Sequence, residues 1–404
     1  MTIQTLPPEA GTGLKSANAA NGSQKAVTLR ETISRDNGLS NLRIAVVSDA
    51  ISGRNGVGTF YQDLLAHIEP MVDKIALISP SKQPDRTLEK FAIPMPGDKT
   101  QRLAWPIGNA IKARLDQLMP NLIIVPSMGP FTLYAVSYAR KRQIPLVVVN
   151  HTDFDHLLSL YWPKPIGAPL RIALGSHNRW LCRQAVSVGV MHEGAKDAAE
   201  RIGARQVRVM ETPLSQEFLS KPIQPLREHA HRAVFVGRLA KEKGITKLLK
   251  TVRELPDSRF TIVGDGPLRE EVERAANECN NLTFRGWLPR SGVLDELDAA
   301  DVLLLPSAYE TFGTVALEAL ARERYVIVSS GCGIADWPSL ADGIFIASGQ
   351  NGLTKVLRDM QSLPAADRTE IARNSWRAVR HFNSQAIDGW LNFLRDAARV
   401  PVQY

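Results

Sequence analysis

The chain has 404 residues, 44% of them hydrophobic and 22% charged, with a formal net charge of +8. That length suits two domains of about 150–200 residues, and the balance is that of an ordinary globular protein, not a fibrous or low-complexity one. The three cysteines (Cys182, Cys279, Cys332) are far apart and lack metal-ligand spacing, so they read as reduced thiols, with neither a disulfide scaffold nor a zinc module expected. No apolar run approaches the roughly 18–20 residues of a membrane-spanning helix, and no secretory signal is visible in the first 40 residues, so an intracellular protein is expected.

The charge is unevenly distributed. Residues 1–40 carry net +1, residues 41–215 net +7 (21 basic, 14 acidic) and residues 216–404 net 0. A basic first half favours an anionic partner such as lipid head groups or an acidic substrate. Nucleic acid is not expected, because the chain shows no helix-turn-helix, RNP pattern or zinc site.

In chain order, residues 1–40 are rich in Ser, Thr, Asn, Gly and Ala and read as a disordered tail. Leu42–Ser48 is the first strand and Thr59–Ile68 the first helix, joined by Ser52-Gly53-Arg54-Asn55-Gly56-Val57-Gly58. A glycine-rich turn at that place starts a Rossmann-like domain, but its spacing is not the dinucleotide fingerprint. No acidic residue ends the next strand, Lys74–Ser79, so NAD is not expected. Strands Leu122–Pro126 and Pro145–Asn150, with a helix near Thr132–Arg142 between them, continue a βαβ rhythm and hence a parallel sheet. The second of these strands delivers His151-Thr152-Asp153-Phe154-Asp155-His156. These groups offer metal ligands, yet no metal is expected, because a pair of cations further on neutralises a diphosphate instead. Pro169–Arg183 sets Leu170, Ala173, Leu174, Trp180 and Leu181 beside Arg171, Arg179 and Arg183: either an interfacial helix or a stripe packed on its own core.

Residues 211–232, with Pro213, Pro222 and Pro225, read as the linker between domains. The second half alternates strands (Ala233–Val236, Arg259–Val263, Leu282–Arg285, Val302–Pro306, Tyr325–Ser329, Gly343–Ile346) with helices. Gly237, Arg238 and Lys243 follow the first of these strands, at the sheet edge where open α/β folds bind ligands. Arg as a fork and Lys as a point charge make a diphosphate clamp. After the fourth strand, Glu310 stands on a loop and Glu318 in the following helix. Gly313 between them lets the backbone approach a ligand at a helix N-terminus, and the carboxylates accept from sugar hydroxyls. Arg368–Ala398 reads as a closing amphipathic helix with Trp376, Phe382, Trp390 and Phe393.

Gly237-Arg238-Leu239 with Lys243-Gly244, then Gly264-Asp265-Gly266-Pro267, then Glu310-Thr311-Phe312-Gly313-x4-Glu318 together resemble the donor half of retaining glycosyltransferases of family 4. The resemblance implies the GT-B fold: α/β, two Rossmann-like domains facing across a cleft, and a C-terminal helix crossing back to the first. The boundaries expected are a tail over 1–40, an acceptor-side domain over 41–215, a donor domain over 216–375 and the crossing helix over 376–404. Asn55-Gly56-Val57 and His151-Thr152 are similar to a subgroup containing sulfoquinovosyl-diacylglycerol synthases and related mannosyltransferases.

By that resemblance Arg238, Lys243, Glu310 and His151 are the expected catalytic groups. Gly56, Gly237, Gly266, Leu288, Thr311, Phe312, Gly313, Thr314 and Glu318 are expected at the donor, with Glu318 on the ribose hydroxyls. The nucleotide sugar is the co-substrate, and no metal or other cofactor is implied. The implied reaction moves a hexose, from a UDP-sugar first of all, to a membrane lipid such as diacylglycerol. The enzyme would be cytoplasmic, peripheral on the anionic inner face of the cell membrane. A soluble sugar or polysaccharide acceptor, a GDP-mannose donor and a non-catalytic sugar-nucleotide binder are the alternatives; a sugar-nucleotide epimerase fits less well. Two departures stand out. Ala321-Arg322-Glu323-Arg324-Tyr325 replaces a small-x-Gly-x-Pro turn, and Glu211–Phe218 replaces a Gly-Val-Asp-x-x-x-Phe segment. No oligomeric state follows.

Overall fold

The computed structural model describes residues 38–51, 56–81, 86–95, 98–126, 129–151, 164–349, 351–402 and 404. Ser52–Asn55, Thr152–His156 and nearly all of the expected tail lie outside the described residues.

The first domain runs β1 (Arg43–Val47), α1 (Gly56–Ile68), β2 (Lys74–Ile78), β3 (Glu89–Met95), β4 (Asp98–Pro106), α2 (Gly108–Leu118), β5 (Leu122–Val125) and α3 (Pro130–Arg142). It continues with β6 (Leu146–Asn150), α4 (Lys164–Gln184), β7 (Ser187–Val190), α5 (Glu193–Arg201) and β8 (Val207–Val209). Six parallel strands lie in the order β2-β1-β5-β6-β7-β8. These strands are apolar runs because helices cover both faces of a parallel sheet. Ile123, Val125 and Val148 pack with Phe131 and Ala135 of α3, whereas Leu122, Ile124 and Val147 pack with Phe60 and Leu64 of α1. Proline opens α3, and Asp49, just past β1, caps it by accepting the backbone N–H groups of Phe131 (2.8 Å) and Thr132 (3.1 Å). The antiparallel pair β3–β4 is an excursion that the sequence reading did not anticipate, as are the short strands β7 and β8.

After α6 (Gln216–Ser220) the second domain runs β9 (Arg232–Val236), α7 (Ile245–Glu254), β10 (Arg259–Val263), α8 (Arg269–Glu278), β11 (Leu282–Gly286) and α9 (Arg290–Ala299). Then come β12 (Val302–Leu305), α10 (Thr314–Ala321), β13 (Tyr325–Ser329), β14 (Ile344–Ala347) and α11 (Gly352–Gln361). The order β11-β10-β9-β12-β13-β14 reverses direction between β9 and β12, which places a switch point there.

The closing helix α12 (Ala365–Arg399) begins earlier than expected and at 35 residues is about 52 Å long. Ala372, Val379 and Phe382 belong to the second domain's cores; Trp390, Phe393, Leu394 and Ala397 belong to the first domain's core with β1 and α1. Trp390 Nε1 donates to the Glu211 carbonyl at 2.9 Å, and the Leu214 N–H donates to Asn383 Oδ1 at 2.7 Å. The helix thereby grips the connection between the domains as well as both cores.

The unusual segment after α10 holds the same connection from the other side. Arg322 is fully buried and uses all five of its N–H donors. They reach the carbonyls of Phe218 (3.2 Å), Lys221 (2.8 Å) and Pro222 (2.6 Å) and both oxygens of Asp298 (2.8 Å each). Arg324, also buried, donates to the Gln224 carbonyl. Arginine stands here because only its fork satisfies several carbonyls and a carboxylate at once. Arg322→Ala is expected to cost about 3–5 kcal/mol, since three carbonyls and a carboxylate lose their partner. Urea unfolding measures this, and adding Asp298→Ala should cost less than the sum of the single changes.

Candidate active site

The loops that leave β9 and β12 flank the switch point of the second sheet, and a cavity of about 520 Å³ opens there toward the first domain. Gly237, Arg238 and Lys243 line it from the β9 loop, and Gly264 and Asp265 from the β10 loop. Trp287, Leu288 and Arg290 follow β11; Tyr309, Glu310, Thr311, Gly313, Thr314 and Glu318 follow β12. Gly56 and Thr59 of α1 close it from the first domain.

Two glycines set the local backbone. Gly264 has φ +146°, and a Cβ on it would sit 1.8 Å from the Gly237 carbonyl oxygen, so the β9 and β10 loops meet backbone to backbone. Gly313 has φ +95° and caps α10 with no side-chain cap, and a Cβ there would press on Cys332 Sγ at 2.9 Å. The uncapped helix N-terminus beside the cavity suits an anion.

The charged groups of the cavity rest in pairs. Lys243 is ion-paired with Glu310, and Arg238 donates to Glu242 Oε1 at 3.1 Å. A single guanidinium serves two carboxylates from different domains: Arg290 Nη2 lies 2.6 Å from Glu318 Oε1 and 2.8 Å from Asp63 Oδ2, with Phe218 under its plane at 5.1 Å. Burial pushes the Glu318 carboxyl up to about 7 and that of Asp63 up to about 6, Arg290 opposing the shift in each case. Burial, reinforced by Glu310, raises the Cys332 thiol to about 12, so it is no nucleophile at neutral pH.

Of the residues expected from sequence, Arg238, Lys243, Glu310, Gly56, Gly237, Leu288, Thr311, Gly313, Thr314 and Glu318 share this cavity. Three do not line it. The ring of Phe312 turns into the core, stacked 6.0 Å from Phe382 and edge-on to Trp337, because an apolar ring gains more from burial than from an open site. Gly266 backs onto Leu239, whose carbonyl oxygen a Cβ would meet at 2.6 Å, and so packs the loop. His151, at the end of β6, lies edge-on to Phe60 (4.6 Å), with Nε2 3.0 Å from the Tyr61 hydroxyl. Burial lowers its pKa to about 3 and keeps it neutral. Among the described residues no three His, Cys, Asp or Glu side chains gather as metal ligands; Asp153 and Asp155 lie outside them.

Sequence reasoning missed Glu242, Asp63 and Arg290. Glu242 follows Arg238 by four positions, a spacing that hints at pairing. Asp63 is a carboxylate among the apolar positions of α1, which is a signal in itself. Arg290 carries no local signal, because its two partners come from remote segments.

The description "Glycosyltransferase Family 4" matches residues 54–216, and "Glycosyl transferases group 1" matches residues 217–374. A sulfoquinovosyl transferase of Arabidopsis thaliana is 24% identical over 307 residues, 70% of this chain and 58% of that protein. A 2-deoxystreptamine glucosyltransferase of Streptomyces kanamyceticus is 30% identical over 260 residues, 58% of this chain and 62% of that one. This chain thus spans less than two thirds of either relative. Among solved structures, a sucrose-phosphate synthase of Thermosynechococcus elongatus superposes with a TM-score of 0.65 at 20% identity, covering 87% of this chain and 98% of that one. The two matched regions adjoin without a gap, and the two parallel-sheet domains and crossing helix accompany them: the chain belongs to the family 4 glycosyltransferases and has the GT-B fold.

Proposed function

We propose that this protein is an α-retaining glycosyltransferase that moves a hexose from a nucleotide-diphosphate sugar, a UDP-sugar first of all, to a membrane lipid such as diacylglycerol. The observation that carries the transfer reading is the cluster of Arg238, Lys243, Glu310 and the uncapped α10 terminus at one switch point. An arriving diphosphate competes with Glu310 for Lys243 and with Glu242 for Arg238. As the anomeric C–O bond breaks, negative charge grows on the leaving phosphate, and the two cations and the helix terminus stabilise it. Glu310, released from Lys243, accepts from sugar hydroxyls, and Glu318 serves the ribose. The acceptor oxygen bonds to the anomeric carbon on the face the phosphate leaves, and its proton passes to the leaving phosphate oxygen. That path asks for no enzymic nucleophile, in keeping with the high thiol pKa of Cys332. His151 does not line the cavity and, neutral and held by Tyr61, takes no step in this scheme.

Support for a lipid acceptor comes from the +7 charge of residues 41–215 and the similarity to a sulfoquinovosyl transferase. The similarity to a 2-deoxystreptamine glucosyltransferase favours a soluble acceptor as the second reading. Among the described residues no helix is long and apolar enough to cross a membrane, so a lipid would be met at a surface.

Release of free nucleotide from a panel of UDP- and GDP-sugars, with and without diacylglycerol vesicles, tests the reading. Lys243→Ala and Glu310→Gln should each lower kcat by about 10²-fold or more. Binding of a nucleotide sugar without release under any condition would leave a silent binder. The raised pKa of Glu318 gives a second test. Affinity for UDP-glucose, whose diphosphate diester does not titrate near neutrality, should strengthen as pH rises through about 7 and the carboxylate forms. Glu318→Gln should flatten that rise in calorimetric titrations. The linked stability runs the other way: the native carboxyl holds its proton above the unfolded value of 4.5. Its contribution is therefore fully present below 4.5 and lost as pH rises to about 7.

A further inference from the structure

The β3–β4 hairpin is patterned inside out. Its register sets Phe91 opposite Trp105, Ala92 opposite Ala104 and Ile93 opposite Leu103. Side chains alternate between the faces of a strand. Ala92 and Ala104 therefore point to the first domain's core and pack there, while Phe91, Ile93, Leu103 and Trp105 share the outer face. On that face Phe91 is 49%, Ile93 53% and Trp105 43% exposed, with the two rings stacked 5.8 Å apart. A hairpin that spends alanines on the core and its largest apolar groups on the outside has an apolar partner to meet.

The surface beside it continues the pattern. Trp105 and exposed Tyr134 of α3 line a groove of about 740 Å³ between the hairpin, α2 and α3, whose walls also carry Lys90, Lys112, Lys141 and Arg142. Asp116 offsets part of that charge by pairing with Lys112 (2.5 Å) and Arg142 (3.1 Å). Lys90 and Lys141 are exposed and carry no ion pair among the described residues. The hairpin springs from the carboxyl end of β2, the same edge of the first sheet from which α1 presents Gly56 and Thr59 to the cavity.

We propose that this face docks on an anionic lipid bilayer. Phe91, Ile93 and Trp105 enter the headgroup boundary, and Lys90, Lys112, Lys141 and Arg142 meet lipid phosphates. Aromatic and aliphatic side chains rimmed by lysine and arginine suit that boundary, where a ring is half wet and a charge finds a counter-ion. A second copy of the chain fits worse, since a two-fold contact on this face would set its cations against their own images. The α4 segment expected from sequence to lie on the membrane does less: Trp180 packs on the core, Leu181 is buried, and of its described large apolar groups Ile172 alone is exposed. The proposal rests on the lipid-acceptor reading for its purpose, not for its test.

The test is flotation of the intact protein with vesicles of phosphatidylcholine alone or mixed with phosphatidylglycerol. The wild type should float with the anionic vesicles and lose that binding as salt shortens the screening length. Phe91→Ser/Ile93→Ser should weaken binding at least about tenfold, and Lys90→Gln/Lys141→Gln about fivefold for each lysine removed. All variants should keep wild-type affinity for UDP-glucose, which shows that the fold and the cavity persist. The proposal falls if the wild type does not float, or if the hairpin variants float as well as it does. A concentration-dependent dimer that Phe91→Ser/Ile93→Ser dissolves would give the face to a second copy instead. Vesicle binding without any glycolipid product would retain the docking face and discard the lipid acceptor; transfer to lipid in detergent without vesicle binding would do the reverse.

Discussion

A parallel sheet must bury both of its faces, and every strand in it must end at the same edge; the rest of this molecule is arranged to meet those two demands. Because all strands of β11-β10-β9-β12-β13-β14 point one way, their trailing loops collect along one rim. Because the order reverses between β9 and β12, the loops at that point diverge and leave a cavity rather than a packed turn. The first sheet repeats the arrangement, and its own helices leave one face in need of further cover. The C-terminal part of α12 supplies that cover with Trp390, Phe393 and Leu394, which ties the two sheets together with their rims opposed.

At the junction, charge is balanced locally before any ligand arrives. Lys243 rests on Glu310, Arg238 on Glu242, and Arg290 on one carboxylate from each domain. A cleft left with bare cations would hold any phosphate that reached it. One in which each cation must be drawn from a carboxylate selects for a ligand able to replace all of those contacts together. The shared guanidinium also joins the cavity to domain geometry, since whatever recruits Glu318 alters what Arg290 can offer Asp63.

Much of this was legible in the residues. In the second domain β9, β12 and β13 are largely apolar runs, and glycine or proline directly follows β9, β10 and β12, so strand positions and loops could be read within a residue or two. The spacing of Glu310 and Glu318 did place both on one cavity. What could not be read depends on contacts between distant segments. Phe312 sits inside the motif, but its ring follows the nearest apolar core, made by Trp337 and Phe382. His151 is claimed by Phe60 and by Tyr61, the latter 90 residues earlier in the chain. Arg322 looked like the loss of a turn and is the anchor of the domain connection, which only its buried carbonyl partners reveal. The β3–β4 hairpin hid because Pro94 and the alternation of alanine with larger residues do not read as a strand facing a core.

The crossing helix has a consequence for the order in which the protein takes shape. Trp390 donates to the carbonyl of Glu211 across 179 residues of chain, and the first domain's core includes Phe393, Leu394 and Ala397. At synthesis rates of about 5–20 residues per second, the first domain waits roughly 10 to 35 s after its last strand emerges before the side chains that seal it exist. During that interval one flank of a hydrophobic core, including Phe60, Leu64 and Val147, faces the cellular milieu. The same contact that fixes the geometry of the mature cleft therefore makes completion of the first domain's core wait on α12, which follows the whole second domain in the chain.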